Sequence, residues 1–496
     1  QPLPLPQVDW RAIAPELALA VAAVVLLLVV AFWPRAGRNL LAGLTLAGLA
    51  VAAALTAWNW DLERVAFDGA VSLDGITRYA RAVLLATGVL ATLMVAQGDS
   101  REGEPDDSPP EVYPLLLFAL LGMVLLAAAS DLLVVFIALE ILSLSLYVLA
   151  GETRRLAAQE AAMKYFLLGA FSSAFLLYGI ALCYGATGTT NLLGIARAST
   201  DPTGDGTLLL AGVGLLAVGF CFKVSAVPFH MWTPDVYQGT PTPVAAFMAA
   251  ATKVAAFSVF LRVFSGALGG LVVSWRPVIA AVAVVTMLVG AALAVVQTDL
   301  KRMLAYSSIS HAGYLLIGVA AAATVPAGIS ASLFYLLVYA FMVMGAFMVV
   351  QYVSRLGPAD DDAIRERSSL DDYRGLARRH PWAAGLLAVF MLSLTGIPPL
   401  SGFWAKYYVF LAGIQAGLTW LVVVAVISSV ISAFFYLRVL VVAYLQEPVG
   451  AEPEAAPGRT PALGLALGLA GLLTVAIGLA PEALIAAARS AERILG

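Results

Sequence analysis

Lysine is scarce in this chain, and its placement is selective. Five lysines stand against twenty-three arginines in 496 residues. Arginine supplies the positive charge of the polar loops almost throughout, Lys301 being the exception, whereas Lys164, Lys223, Lys253 and Lys406 lie inside long apolar runs. Arginine stays charged, but a lysine withdrawn from water gives up its proton readily. An ammonium group at mid-bilayer costs about 2.5–3.5 kcal/mol even on a lenient insertion scale. Four such residues therefore point to proton transfer. The alternative is snorkelling or static pairing, to which Lys164, near the end of its run, is the most open.

Glu140 is the one carboxylate well inside an apolar run. Beside a protonated lysine it would act as a switch, because moving or neutralising the carboxylate makes the lysine release its proton; a fixed ion pair is the plain alternative. Pro228, in "GFCFKVSAVPF", has no N–H, so the carbonyl of Val224, next to Lys223, loses its helical partner. Pro398 and Pro399, in "TGIPPLSGFWAK", do the same to Leu394 and Thr395, with Lys406 seven residues on. In lipid a freed carbonyl needs a lysine, a water or a neighbouring helix. A break beside a titratable group thus makes a polar pocket at membrane depth, unless it is a plain packing kink. His311, with Ser307 and Ser308 one turn earlier, has the side chain of a proton relay near neutral pH or of a structural hydrogen-bonder. His230 lies close to the Pro228 break, and His380 in a charged loop. Asp131, Asp235 and Asp299 fall near helix ends, where capping is the default role.

The elements that must position these groups are membrane helices. Hydrophobic residues make up 61% of the chain and charged residues 12%, with a mean hydropathy of +0.92. A soluble domain carries about 25% charged residues. Continuous rather than alternating apolar runs exclude a barrel, so the expected fold is an all-α integral membrane protein. About fourteen spans fit the length of a bilayer, at 14–33, 39–58, 76–97, 112–129, 131–150, 160–185, 207–238, 243–266, 275–296, 301–322, 327–354, 382–415, 418–446 and 460–486. The seventh and twelfth are overlong and interrupted by proline. Loops after odd-numbered spans hold fourteen Lys and Arg, against six on the other side, which predicts both termini away from the cytoplasm. Seven of nine tryptophans sit near span ends, as interface anchors do.

Net charge −3 gives no case for nucleic acid. Cys183 and Cys221 lack the spacing of zinc, iron–sulfur or redox motifs, and no phosphate-binding glycine loop occurs. The chain begins with Gln, and no cleavable signal is read at its start. The loop "GDSREGEPDDSPPE" and the charged segment 355–380 are solvated stretches or contact surfaces.

Two internal echoes share one offset. "GFCFK" in the seventh span matches "GFWAK" in the twelfth, and "SDLLVVFIALEILSLSLYVLAG" in the fifth matches "TDLKRMLAYSSISHAGYLLIG" in the tenth. Five spans is an odd number, so the two units run in opposite directions, as in transporters with inverted repeats and broken helices. The organisation expected is an N-terminal three-helix segment (1–111), a first repeat (112–266), a second repeat (275–446), and a loop with a final helix (447–496).

On these residues the chain resembles the antiporter-like membrane subunits of proton-pumping NADH:quinone oxidoreductase, respiratory complex I. Its most specific stretches are "FKVSAVPFHMWTPDVYQGTPTPV", "LKRMLAYSSISHAGY" and "TGIPPLSGFWAKYYVF". The resemblance implies fourteen helices, two inverted five-helix repeats and discontinuous seventh and twelfth helices. It also implies a proton path through Glu140, Lys223, Lys253 and Lys406, with Lys164 as a further lysine and His311 as a relay. Within these subunits the chain most resembles the N type; Lys406 departs from the glutamate of the M type, and the end of the chain departs from the lateral helix of the L type. The second repeat has serines where the first has Glu140.

The resemblance further implies a multi-pass protein of a bacterial plasma membrane with no cofactor in this chain. NADH, FMN, iron–sulfur clusters and quinone belong to partner subunits. The partners implied are other membrane subunits, both antiporter-like and small, together with lipid. Rival readings are a subunit of a multisubunit Na⁺/H⁺ antiporter, a membrane arm of an ion-translocating hydrogenase, and a passive scaffold.

Overall fold

The computed structural model describes residues 9–33, 35–97, 109–200, 206–356, 367–448 and 461–493. Most of the acidic loop from Gly98, part of the charged segment after Arg355, and the loop arginines Arg101, Arg365 and Arg459 lie outside the described residues.

Helices α1 (Ala14–Phe32) and α2 (Arg38–Trp58) lead to a hairpin of β1 (Arg64–Ala66) and β2 (Val71–Leu73), then α3 (Gly75–Gln97). Next come α4 (Val112–Ala128), α5 (Leu132–Ala150), α6 (Leu156–Thr187), the short α7 (Leu192–Ser199), α8 (Gly206–Lys223), α9 (Trp232–Gly239) and α10 (Thr242–Leu261). The chain continues through α11 (Val272–Val295), α12 (Leu300–Ala322), α13 (Ala327–Ser354), the single turn α14 (Leu376–Arg379), α15 (Pro381–Thr395), α16 (Ser401–Gln415) and α17 (Thr419–Leu445). It closes with α18 (Pro461–Leu479) and α19 (Glu482–Arg489). Twelve of the described helical stretches are long and apolar enough to cross a membrane; α4 and α15 are apolar but shorter. The hairpin departs from the all-helical expectation. It sits in the polar connection between α2 and α3, where the chain turns at Phe67–Gly69 with positive φ and strand pairing is open to a backbone outside hydrocarbon.

Lipid is as apolar as leucine, so helices are drawn together here by close approach and polar bonds rather than by hydrophobicity. Small residues provide the approach. The alanine-rich α10, and α13 with it, are buried along their whole apolar length and α12 almost so, whereas only a third of α1, α2 and α6 is covered. A Cβ on Gly122 would lie 2.5 Å from Leu142 N, and one on Gly290 would lie 2.6 Å from Ser310 N. Glycine is required at both crossings, α4 on α5 and α11 on α12.

The loops repeat one construction. Leu132 N donates to Thr190 O (2.9 Å) and Leu192 N to Ser130 O (3.0 Å); Leu300 N donates to Ser368 O (2.6 Å) and Leu370 N to Thr298 O (2.8 Å). Asp131 caps Leu133 N while accepting from Thr190 Oγ1, and Asp299 caps Arg302 N while accepting from Ser368 Oγ. Each bridge ties the start of one helix, α5 or α12, to a connection further along the chain, at Thr190–Leu192 or Ser368–Leu370.

Candidate functional site

Helix α8 ends on Lys223, and the chain turns through Val224–Met231 before α9 begins. Ser225 takes a left-handed conformation (φ +65°). The turn is held from all sides: Ala226 N donates to Cys221 O (2.8 Å), Val227 N to Thr286 Oγ1 of α11 (3.0 Å), and Thr233 Oγ1 to Ser225 Oγ (2.7 Å). The carbonyl that Pro228 frees does have a lysine on it, but from another helix. Lys253 Nζ of α10 donates to Val224 O at 3.0 Å. Lys223 is thereby left for different work. Its ammonium donates to Ser143 Oγ of α5 (2.7 Å) and lies 5.5 Å from the ring centre of Tyr165. Both lysines are almost wholly buried, at 4% and 1% exposure.

The turn between α15 and α16 has the same logic with fewer parts. Helix α15 stops at Thr395, and Gly396 is left-handed. Lys406 Nζ reaches back from α16 to Thr395 O (2.7 Å) and also donates to Ser429 Oγ of α17 (2.8 Å). A cavity of about 440 Å³ lined by Thr395, Lys406, Tyr407, Phe410, Ser429 and Val430 opens beside it.

Between the two turns lies a buried polar seam. His311 hydrogen-bonds through Nδ1 to Tyr335 OH (2.6 Å) and through Nε2 to Tyr436 OH (3.1 Å), which in turn meets Ser307 Oγ. Tyr314 OH donates to Ser428 Oγ (3.2 Å), next to the Ser429 that holds Lys406, and Lys406 Nζ lies 5.3 Å from the Tyr314 ring. Helices α12, α13 and α17 thus bring His311 and Lys406 into one neighbourhood of hydroxyls.

Glu140 is not paired directly with Lys223. It sits half-buried on α5 and accepts from Ser173 Oγ of α6 (2.5 Å). A small cavity of about 10 Å³, roughly room for one water, is lined by both Ser173 and Lys223. Lys164 also stands apart from the three buried lysines. Its side chain is 42% exposed and ion-paired to Glu160 (2.6 Å) and Asp235 (3.0 Å). Pro228 is exposed, and His230 lies in the same turn with Nδ1 buried and unpartnered. His380 meets Tyr352 OH (3.1 Å). Asp131 and Asp299 are caps, whereas Asp235 is bound to cations instead.

Sequence reasoning missed several groups. Lys301, read as a loop cation, is fully buried at the start of α12 and donates to Thr240 O (2.6 Å). Arg262 binds Asp74 through two hydrogen bonds (2.7 and 2.8 Å) and Arg81 pairs with Glu16, all of them buried. The hydroxyls Ser143, Ser173, Tyr335 and Tyr436 were also passed over; the cluster Ser428, Ser429 and Ser432 in the apolar run of α17 was the readable signal. Cys183 and Cys221 are buried and unpaired with each other. No three His, Cys, Asp or Glu side chains cluster to hold a metal among the described residues.

Comparison with known proteins fits this geometry. Residues 129–432 match the family described as NADH:quinone oxidoreductase/Mrp antiporter, TM. NADH-quinone oxidoreductase subunit N of Acidothermus cellulolyticus is 45% identical over 97% of this chain and 95% of its own length. A chain of respiratory complex I from Thermus thermophilus, solved with bound aureothin, superposes with a TM-score of 0.80 at 36% identity, covering 96% of this chain and 100% of that one. A chain of the Mrp complex from Dietzia sp. DQ12-45-1b superposes with a TM-score of 0.82 at 24% identity, over 98% and 97% respectively, and so shares the fold. Backbone shape alone does not separate these two classes, but full-length identity does: this chain belongs to the subunit N family of NADH-quinone oxidoreductase.

Proposed function

We propose that protons move through this chain along buried side chains, from Glu140 and Lys223 through Lys253 and His311 to Lys406. Family membership makes the chain a proton-translocating membrane subunit of NADH-quinone oxidoreductase. In the proposal Glu140 acts on Lys223 through Ser173 and the small cavity between them, so the switch is relayed rather than a contact pair. Lys253 and His311 pass the proton laterally, and Lys406 is the last store. Redox energy comes from the NADH, FMN, iron–sulfur and quinone chemistry of partner subunits, and this chain holds no cofactor. The enzyme lies in a bacterial plasma membrane, with both termini of this chain away from the cytoplasm.

The finer architecture belongs to the same reading: fourteen crossings, two inverted five-helix units within 112–266 and 275–446, and broken seventh and twelfth helices. It is supported by the matched Asp131 and Asp299 bridges and by the matched glycine crossings. The observation that carries the function is that both turns present a buried ammonium to the carbonyl freed by proline, with Lys223 left over at the first. An idle lysine would not be kept there at the cost of burying its charge.

The test is NADH-driven proton uptake in vesicles containing the assembled enzyme with Lys223→Ala, measured with NADH oxidation and subunit content. Proton uptake per NADH, or both rates together, should fall with the subunits present. Unchanged assembly, turnover and pumping would refute the path.

A further inference from the structure

The charges that this path leaves unused gather around α9. Asp235, in its first turn, offers two oxygens to two cations from distant parts of the chain. Oδ1 accepts from Arg302 Nη1 of α12 (2.6 Å) and Oδ2 from Lys164 Nζ of α6 (3.0 Å). Arg302 Nη1 also reaches Gln238 Oε1 (3.1 Å), and Lys164 reaches Glu160 (2.6 Å). The neighbouring Lys301 is buried and donates to Thr240 O, at the C-terminal cap of α9. The cluster borders a polar cavity of about 360 Å³ lined also by Arg155, Asp299 and Ser368.

The two attachments of α9 differ in kind. The Lys301 bond is shut away from water. The ion pairs of Asp235 are 29–42% exposed, and pairs so exposed hold weakly and reopen readily. The turn that carries Asp235 also closes the break around Lys223. Trp232 Nε1 donates to Phe222 O (3.1 Å), and the Trp232 ring stacks on Tyr165 (4.6 Å), whose own ring lies beside the Lys223 ammonium. Two rings, Trp232 and Tyr165, thus join the turn of Asp235 to Lys223.

We propose that Asp235 is a positioning residue for proton transfer: its carboxylate is a reversible clamp between Lys164 and Arg302 that sets how α9 closes the turn around Lys223. The inference rests on the proton-path reading above. In the assembled enzyme in vesicles, Asp235→Asn should lower proton uptake per NADH about threefold, the scale of an exposed ion pair, with subunit content retained. Asp235→Glu, which keeps the charge, should restore most of it. Adding Arg302→Gln to Asp235→Asn should cost little more, since both open the same clamp.

An unchanged ratio in Asp235→Asn would overturn the proposal, as would losses that simply multiply in the double variant. Failure of both Asp235→Asn and Arg302→Gln to assemble would make the cluster a folding element and overturn it equally. Lys223→Ala run alongside separates the two ideas. Intact pumping there removes the path, whereas intact pumping in Asp235→Asn alone removes only the clamp.

Discussion

The two proline turns solve one problem in two ways. At the α15–α16 turn a single residue, Lys406, satisfies the bare Thr395 carbonyl and also bonds Ser429 of the polar seam. At the α8–α9 turn the tasks are divided: Lys253 arrives from α10 to hold Val224 O, and Lys223 faces Ser143. The division needs α10 to be deeply buried against the turn, which its alanines permit. A lysine that must plug a carbonyl is tied to its place, while one relieved of that duty is free to respond to a carboxylate. In the proposed path the responsive step therefore falls to Lys223 and the terminal store to Lys406.

That contrast can be broken by substitution. Lys406→Ala removes plug and carrier together, so it should have the largest effect. A hydrogen bond from a charged donor is worth about 1.5–3 kcal/mol, and proton uptake in vesicles should fall roughly ten- to a hundredfold. Lys253→Met removes the plug at the first turn and one of the two groups that pass the proton laterally, but leaves Lys223 on Ser143 and His311 in the seam. Thermal unfolding of the purified enzyme should show the loss of a bond of about 1.5–3 kcal/mol, with a smaller fall in proton uptake than in Lys406→Ala. An equal or larger fall would end the idea of divided duties. Ser143→Ala sharpens the contrast from the other side. It takes away the nearer acceptor of Lys223, leaving Tyr165 OH at 3.5 Å, without touching either freed carbonyl, and a bond of about 1 kcal/mol predicts a change of about fivefold or less in proton uptake. Stability should be nearly unchanged.

Much of the site was legible because its chemistry is costly. Lys223, Lys253, Lys406 and Glu140 stood out against apolar runs, since a charge in lipid is not kept without a use. The need of a freed carbonyl for a lysine was equally readable from Pro228, Pro398 and Pro399. Which lysine answered was not. The residue nearest in sequence, Lys223, is not the one on Val224 O, because α10 arrives there only through the fold. Hydroxyls such as Ser173, Tyr335 and Tyr436 were hidden for another reason: they are cheap to bury when bonded, so their presence in an apolar run draws no notice.

By itself the sequence determined what has to be true of each residue in isolation. Apolar length made the helices, proline placed the turns, and the choice of lysine over arginine marked the candidates for proton transfer. Only the tertiary structure decided who meets whom. It set Ser173 and a small cavity between Glu140 and Lys223, buried Lys301 although it had the look of a loop cation, and held Lys164 half-exposed in ion pairs with Glu160 and Asp235. The physical reason is that burial cost and backbone bonding are local properties of a residue in lipid. Distances between helices depend on where glycine and alanine let two distant backbones touch.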